Sequence, residues 1–306
     1  MVLYSLDFFN EQLFKNTSYI LPNNVINGIH DLHMFMGVTK DFDQNTYKNI
    51  RRNKNETDIW KKKEIFKATT IVKKEGIEQF LGDLKVNLNK ITTINYNTQE
   101  EKIVELIDTI IALEQDTDTI NSDSIKQVTN LILNVSCSNK CHSNLYSKLY
   151  IKLMNKYLYM CDAKDTLINK YLLEVHDIEI VDPNVDYDLF CKMTKQNERR
   201  RTTMLFIIYL YKENVYETEN VLEIINKMIN FIKINMNNNE YLDIINEISE
   251  IVNIVALNMT SEIKNNNDFK FLLNDITEFS KCKTKEHPGI SNRTKFKYMD
   301  MLEQFK

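Results

Sequence analysis

From residue 78 to residue 305 apolar side chains recur at helical spacing almost without a break, and this periodicity constrains the fold more than any other feature. Glu78 to Ile91 sets Phe80, Leu81, Leu84, Leu88 and Ile91 on one stripe, and Glu101 to Leu113 does the same with Ile103, Val104, Ile107, Ile110 and Ile111. The same pattern predicts helices over Ser124–Val135, Leu145–Leu158, Thr166–Leu173, Arg201–Tyr211, Asn220–Ile234, Tyr241–Leu257, Asp268–Phe279 and Thr294–Phe305. Five Gly and three Pro in 306 residues leave too few punctuators for hairpin-rich β architecture, a Gly-rich phosphate loop or a dinucleotide fingerprint.

Helices joined by short Asn/Asp/Ser turns and paired every 35–50 residues or so are the mark of an α-solenoid. The expected fold is therefore all-α, a HEAT-like solenoid of about five antiparallel helix pairs behind an N-terminal extended arm. The arm spans residues 1–58 and the helical body 59–306. Within the arm, Tyr4 to Phe14 reads as a short amphipathic helix. Ser18 to Thr46 mixes Pro22, Gly28, Gly37 and several Asn with large hydrophobics and shows no sustained period. A basic, polar linker follows from Lys48 to Asp58.

Composition narrows the class. At 27% charged and 43% hydrophobic the chain is globular, and no apolar run reaches the ~18 residues of a membrane span. No secretory signal pattern opens it. Five Cys, an odd number, fit a reducing cytoplasm better than a disulfide framework. With 38 Asn, 36 Ile, 33 Lys, six Arg and four Ala, residue usage follows AT-rich codons, which points to a giant DNA virus or an AT-rich protist.

Four segments in order resemble the middle domain of eukaryotic translation initiation factor 4-gamma. Ile59 to Thr92 resembles that domain's lead-in tryptophan and first helix, closing on Leu88-Asn89-Lys90-Ile91-Thr92. Ser143 to Leu153 is similar to the second-repeat helix, and Asn197 to Val215 to the Arg-rich start of the third repeat's second helix. Ser291 to Phe305 is similar to the last helix, with Ser291, Arg293, Phe296, Asp300 and Leu302 in step. At the N-terminus, Leu3 to Leu13 resembles the Tyr-x-x-x-x-Leu-Φ helix by which such scaffolds hold the cap-binding subunit, Asn10 standing where the family has a hydrophobe.

The resemblance implies three partners. A cap-binding protein of the initiation factor 4-epsilon type would grip Tyr4, Leu6, Asp7, Phe8, Phe9 and Leu13. The alternative is that this helix docks on the chain's own solenoid. Tyr19 to Phe42, too apolar for a plain linker, would wrap a second face of that partner or fold back. A DEAD-box helicase of the 4-alpha type would be bracketed by Trp60, Lys62 and Phe66 at one end and Arg293, Lys295 and Phe296 at the other, biasing it toward its closed state by differential binding. The alternative for Trp60 is a buried cap under the first helix.

Messenger RNA is the third partner. Basic residues cluster against a net charge of −4, and Arg51, Arg52, Lys61, Lys63, Lys73, Lys74, Arg199, Arg200 and Arg201 are the candidates for non-specific phosphate contact. Arg199 to Arg201 are alternatively structural, pairing with acids of neighbouring helices.

Enzyme readings fail. Cys137, Cys141 and His142 invite zinc, yet a fourth ligand has no familiar spacing. Paired acids such as Glu100 and Glu101, or Asp116 and Asp118, sit at helix starts, and the five His form no triad. No cofactor or metal is expected. The expectation is a monomeric, cytoplasmic, non-enzymatic initiation scaffold within a heteromeric complex, one serving viral mRNA being in keeping with the codon usage, with the further C-terminal modules of larger scaffolds missing or cut away. Its rivals are an mRNA-decay, splicing or nuclear cap-complex scaffold of the same domain family, a decoy that sequesters the host cap-binding protein, and a solenoid adaptor unrelated to translation.

Overall fold

The computed structural model describes residues 22–35, 75–115, 122–175 and 177–306. The chain divides into two units, Met1–Ile71 and Val72–Lys306. The candidate residues Tyr4 to Leu13, Arg51, Arg52, Trp60 to Lys63, Phe66, Lys73 and Lys74 lie outside the described residues.

Among the described residues of the first unit, one helix, α1 (Asn23–Phe35), lies in the stretch expected to be irregular. Asn and Gly obscure its pattern, but Val25, Ile26, Ile29 and Leu32 fall at i, i+1, i+4 and i+7. Pro22 starts it, its carbonyl taking the Val25 and Ile26 amides at 2.9 and 3.2 Å. All four apolar side chains are 42–59% exposed.

The second unit is helical from α2 (Ile77–Asn89) to α12 (Asn292–Gln304), with no strand among the described residues. Between them run α3 (Tyr96–Gln115), α4 (Ser122–Ser136), α5 (Ser143–Lys156), α6 (Tyr159–Glu174), α7 (Tyr187–Lys212), α8 (Thr218–Asn235), α9 (Leu242–Asn258), the short α10 (Thr260–Asn265) and α11 (Lys270–Lys281). The ten predicted helices of the body are all present.

Local chemistry sets the ends. Gly76 begins α2 at φ +64°, a backbone conformation that an L side chain resists. Asn95 clamps the α2–α3 turn, accepting from the Thr92 amide at 2.7 Å and donating to the Lys90 carbonyl at 2.8 Å. Asn214 (φ 59°) closes α7, with its own amide bonded to Tyr211 O and that of Val215 to Leu210 O, both at 2.9 Å. Ser291 caps α12 by accepting from the Thr294 amide at 3.0 Å.

Each helix packs on its neighbour in sequence from α2 through α9, and α11 packs on α12. Next-but-one neighbours pack as well. One row runs α2, α4, α6, α8, α11 and the other α3, α5, α7, α9, α12. Between the rows lies one apolar core, in which Leu84, Leu88, Ile103, Ile107, Leu149 and Phe206 are fully buried. Buried tyrosines pin the rows together: Tyr146 Oη donates to Leu88 O at 2.9 Å across 58 residues of sequence, and Tyr150 Oη to Met160 O at 2.9 Å.

Helix α7 shows how burial overrides a faint pattern. It was expected over Arg201–Tyr211 but runs 26 residues, starting at Tyr187, where Asp186 accepts from the Leu189 amide at 2.9 Å. Before Arg200 only Met193 is buried, so this half carries little apolar signal. Residues 202–208 are buried without exception, and the chain there is apolar or small on every face.

Candidate interaction surfaces

Helix α12 lays Arg293, Phe296, Asp300 and Gln304 along one side, at spacings of three and four residues. Opposite stand Asn253 and Leu257 of α9, and between the two helices opens a cleft of about 520 Å³. Its apolar wall is open to solvent, Phe296 being 61% and Leu257 49% exposed.

Beneath the cleft lies a charge cluster. Glu250 of α9 receives Arg293 Nη2 at 3.2 Å and Lys297 Nζ at 2.5 Å, one on each carboxylate oxygen. Burial alone would raise the Glu250 pKa. The hydrogen bond from Lys297 and the positive charges of Lys297, Arg201 and Arg293 outweigh it and hold the carboxyl below its usual range. Two of the three C-terminal candidates, Arg293 and Phe296, thus share one cleft. Lys295 does not line it; it is half-buried, and its charge bears on the buried Cys282.

The three arginines at 199–201 part company. Arg200 is buried, and its guanidinium donates to the carbonyls of Glu174 (3.1 Å) and Asp177 and to Asn197 Oδ1. It fastens the loop after α6 to α7. Arg201 forks onto Glu247 of α9, its Nε 2.7 Å from Oε1 and its Nη2 on Oε2. Arg199 alone stays exposed, held by Nη2 to Asn134 Oδ1 at 2.6 Å.

Around Arg199 two concavities meet. On one side a pocket of about 450 Å³ gathers Lys192 and Lys195 of α7 with Lys140 from the α4–α5 turn. Those three lysines have neither an ion pair nor a side-chain hydrogen bond with any described residue, and Glu198 is the acid among the lining residues. On the other side a groove of about 560 Å³ runs between α4 and α6. Ile125, Thr129 and Leu133 form one wall at i+4 spacing and Tyr159, Ala163 and Leu167 the other, with Lys126, Lys170 and Arg199 on the rim. Lys140 was missed in the sequence because it sits 52 residues from Lys192, in a turn without a basic run.

Among the described residues no group of three or more His, Cys, Asp or Glu is placed to hold a metal ion. Burial pushes the Cys137 thiol up to about 11, against weaker opposing effects of Thr203 and Arg199, so it is inert as a nucleophile near neutrality. No helix of the described residues is long and apolar enough to cross a membrane. No protein-family model and no curated protein matches this chain.

Proposed function

We propose that the chain is a translation-initiation scaffold, a HEAT-like solenoid that bridges a cap-binding protein and a DEAD-box helicase of the initiation factor 4-alpha type on messenger RNA. Serial packing of alternate helices in two rows supports the solenoid reading, since each helix then needs only its near neighbours for burial. The observation that carries the partner reading is Phe296. Phe296 stands 61% exposed beside the open cleft with Arg293 three residues before it, and aromatic and arginine side chains are the types enriched among interface anchors. The family resemblance assigns helicase contact to this same helix.

In this reading the α12 cleft grips one helicase lobe and the segment around Trp60 the other, and Tyr4 to Leu13 recruits the cap-binding protein. The basic run from Arg51 to Lys74 holds RNA through its phosphates without sequence readout.

The test is the RNA-dependent ATPase of a DEAD-box helicase of that type, titrated with the full chain. Stimulation that falls at least tenfold in Phe296→Ala, with its unfolding midpoint unchanged, is the expected outcome. No stimulation by the wild type removes the helicase from the proposal. Retention on a cap-binding protein, lost in Tyr4→Ala with Phe9→Ala, checks the other arm independently.

A further inference from the structure

The α4/α6 groove is built to receive another helix. Its walls are two i+4 rows, Ile125–Thr129–Leu133 and Tyr159–Ala163–Leu167, and such ridges define the furrow into which a third helix packs. Ile125, Leu133, Ala163 and Leu167 are each half-buried, covered on the core side and open on the groove side. Ala163, the smallest, makes the depression. From Ile125 to Leu133 the furrow runs eight residues, about 12 Å at 1.5 Å per residue, or roughly two turns of a partner helix.

Charge then selects the partner. Lys126, Lys170 and Arg199 rim the groove together with Asp162, although Lys170 already pairs with Glu174 at 3.6 Å and Lys126 has a partner of its own. At its Arg199 end the groove meets the basic pocket, where Lys140, Lys192 and Lys195 lack any described counter-ion although the whole chain carries −4. Solvated lysines alone would say little. Lysines converging from two separate elements at the mouth of an apolar slot make an electrostatic complement for something both apolar and acidic.

We infer that the α4/α6 groove and the Lys140–Lys192–Lys195 pocket together dock an acidic amphipathic helix of a partner protein, its aliphatic anchors in the groove and its carboxylates against the lysines. The groove wall is mainly aliphatic, which rewards Leu or Ile anchors at i, i+4 and i+7. Single-stranded RNA would instead call for successive aromatic platforms on which bases stack. This surface lies apart from the α12 cleft, and the inference does not depend on the translation reading.

The test uses the full chain and a fluorescein-labelled helical peptide with Leu at i, i+4 and i+7 and Glu flanking them. The comparison ligands are the same peptide with Lys in place of Glu, and oligo-uridylate. Fluorescence anisotropy should show the Glu peptide binding the wild type and the Lys peptide failing to bind. Ala163→Trp, which fills the groove, and the double variant Lys192→Glu with Lys195→Glu, which reverses the pocket, should each weaken the Glu peptide by about tenfold. The lysine variant is fully surface-borne, so it reports even if Ala163→Trp perturbs folding. Glu-peptide binding that is absent, or unchanged in both variants, overturns the inference. So does oligo-uridylate losing as much affinity as the peptide in both variants, which would make this a nucleic-acid site.

Discussion

Arg201 of α7 and Glu247 of α9 face each other across two adjacent helices of one row, guanidinium fork to carboxylate, with the Glu247 side chain only 9% exposed and that of Arg201 32%. The hydrogen bond that Arg201 donates to Glu247 raises the Arg201 pKa further, against the opposing cost of burial. Replacing one partner leaves the other buried without its counter-charge, whereas replacing both by apolar residues removes the desolvation cost as well. Arg201→Leu alone should therefore destabilise by about 1–3 kcal/mol, and adding Glu247→Leu should recover much of that. Urea unfolding of the two single variants and the double variant measures it; additive losses would show that the two residues are not coupled.

Glu250 makes stability pH-dependent in a defined direction. Its carboxyl titrates below the usual range when folded, so the pairing with Lys297 and Arg293 contributes fully above the ordinary glutamate value near pH 4.3 and is lost as pH falls through the lower folded value. Wild type should exceed Glu250→Gln in unfolding free energy by about 1 kcal/mol at pH 7, and the gap should close toward pH 3. A gap that is constant across that range would mean the pairing contributes nothing through charge.

Gly289 has no room for a side chain. A Cβ there would stand 2.8 Å from the carbonyl oxygens of Asn235 and Asn238 and 3.0 Å from that of Met236, all backbone, while its own amide donates to Met236 O at 2.9 Å. Gly289→Ala must push the loop before α12 away from the end of α8, at a cost of about 1–3 kcal/mol. Loss of that size in chemical denaturation, with helicity retained by circular dichroism, is the expected result.

The five thiols should separate by reactivity. Cys141 and Cys191 are exposed, Cys161 is half-buried, and Cys137 and Cys282 are buried, with Cys137 raised to about 11 by desolvation. Iodoacetamide at pH 8 should label Cys141 and Cys191 within minutes, whereas Cys137 should react only on unfolding. Peptide mass spectrometry reads each site, and rapid native labelling of Cys137 would contradict its place in the core.

Legibility followed the strength of the apolar stripe. Helices α2 through α5, α8, α9, α11 and α12 each carry residues such as Leu84, Ile107, Ile224 or Ile276 that are buried at helical spacing, and these appear in the sequence unaided. The first half of α7 did not, because Lys192, Lys195 and Arg199 face water there and leave no stripe. Helix α1 was hidden by Asn and Gly, residues that lower intrinsic helix propensity without forbidding the helix. Leu158, expected to continue α5, instead stands 83% exposed in the two-residue turn to α6.

The sequence alone determined the secondary structure class, because 3.6-residue periodicity and the scarcity of Gly and Pro are local properties that no tertiary arrangement need supply. Tertiary structure decided what the charges are for. Arg199, Arg200 and Arg201 are consecutive and chemically identical, yet successive positions on a helix point about 100° apart. One therefore faces solvent beside Lys192 and Lys195, one is buried on backbone carbonyls, and one is spent on Glu247. Lys140 joins the first of these only because α4 and α5 turn back beside α7, a convergence of distant residues that follows from packing and has no trace in local sequence.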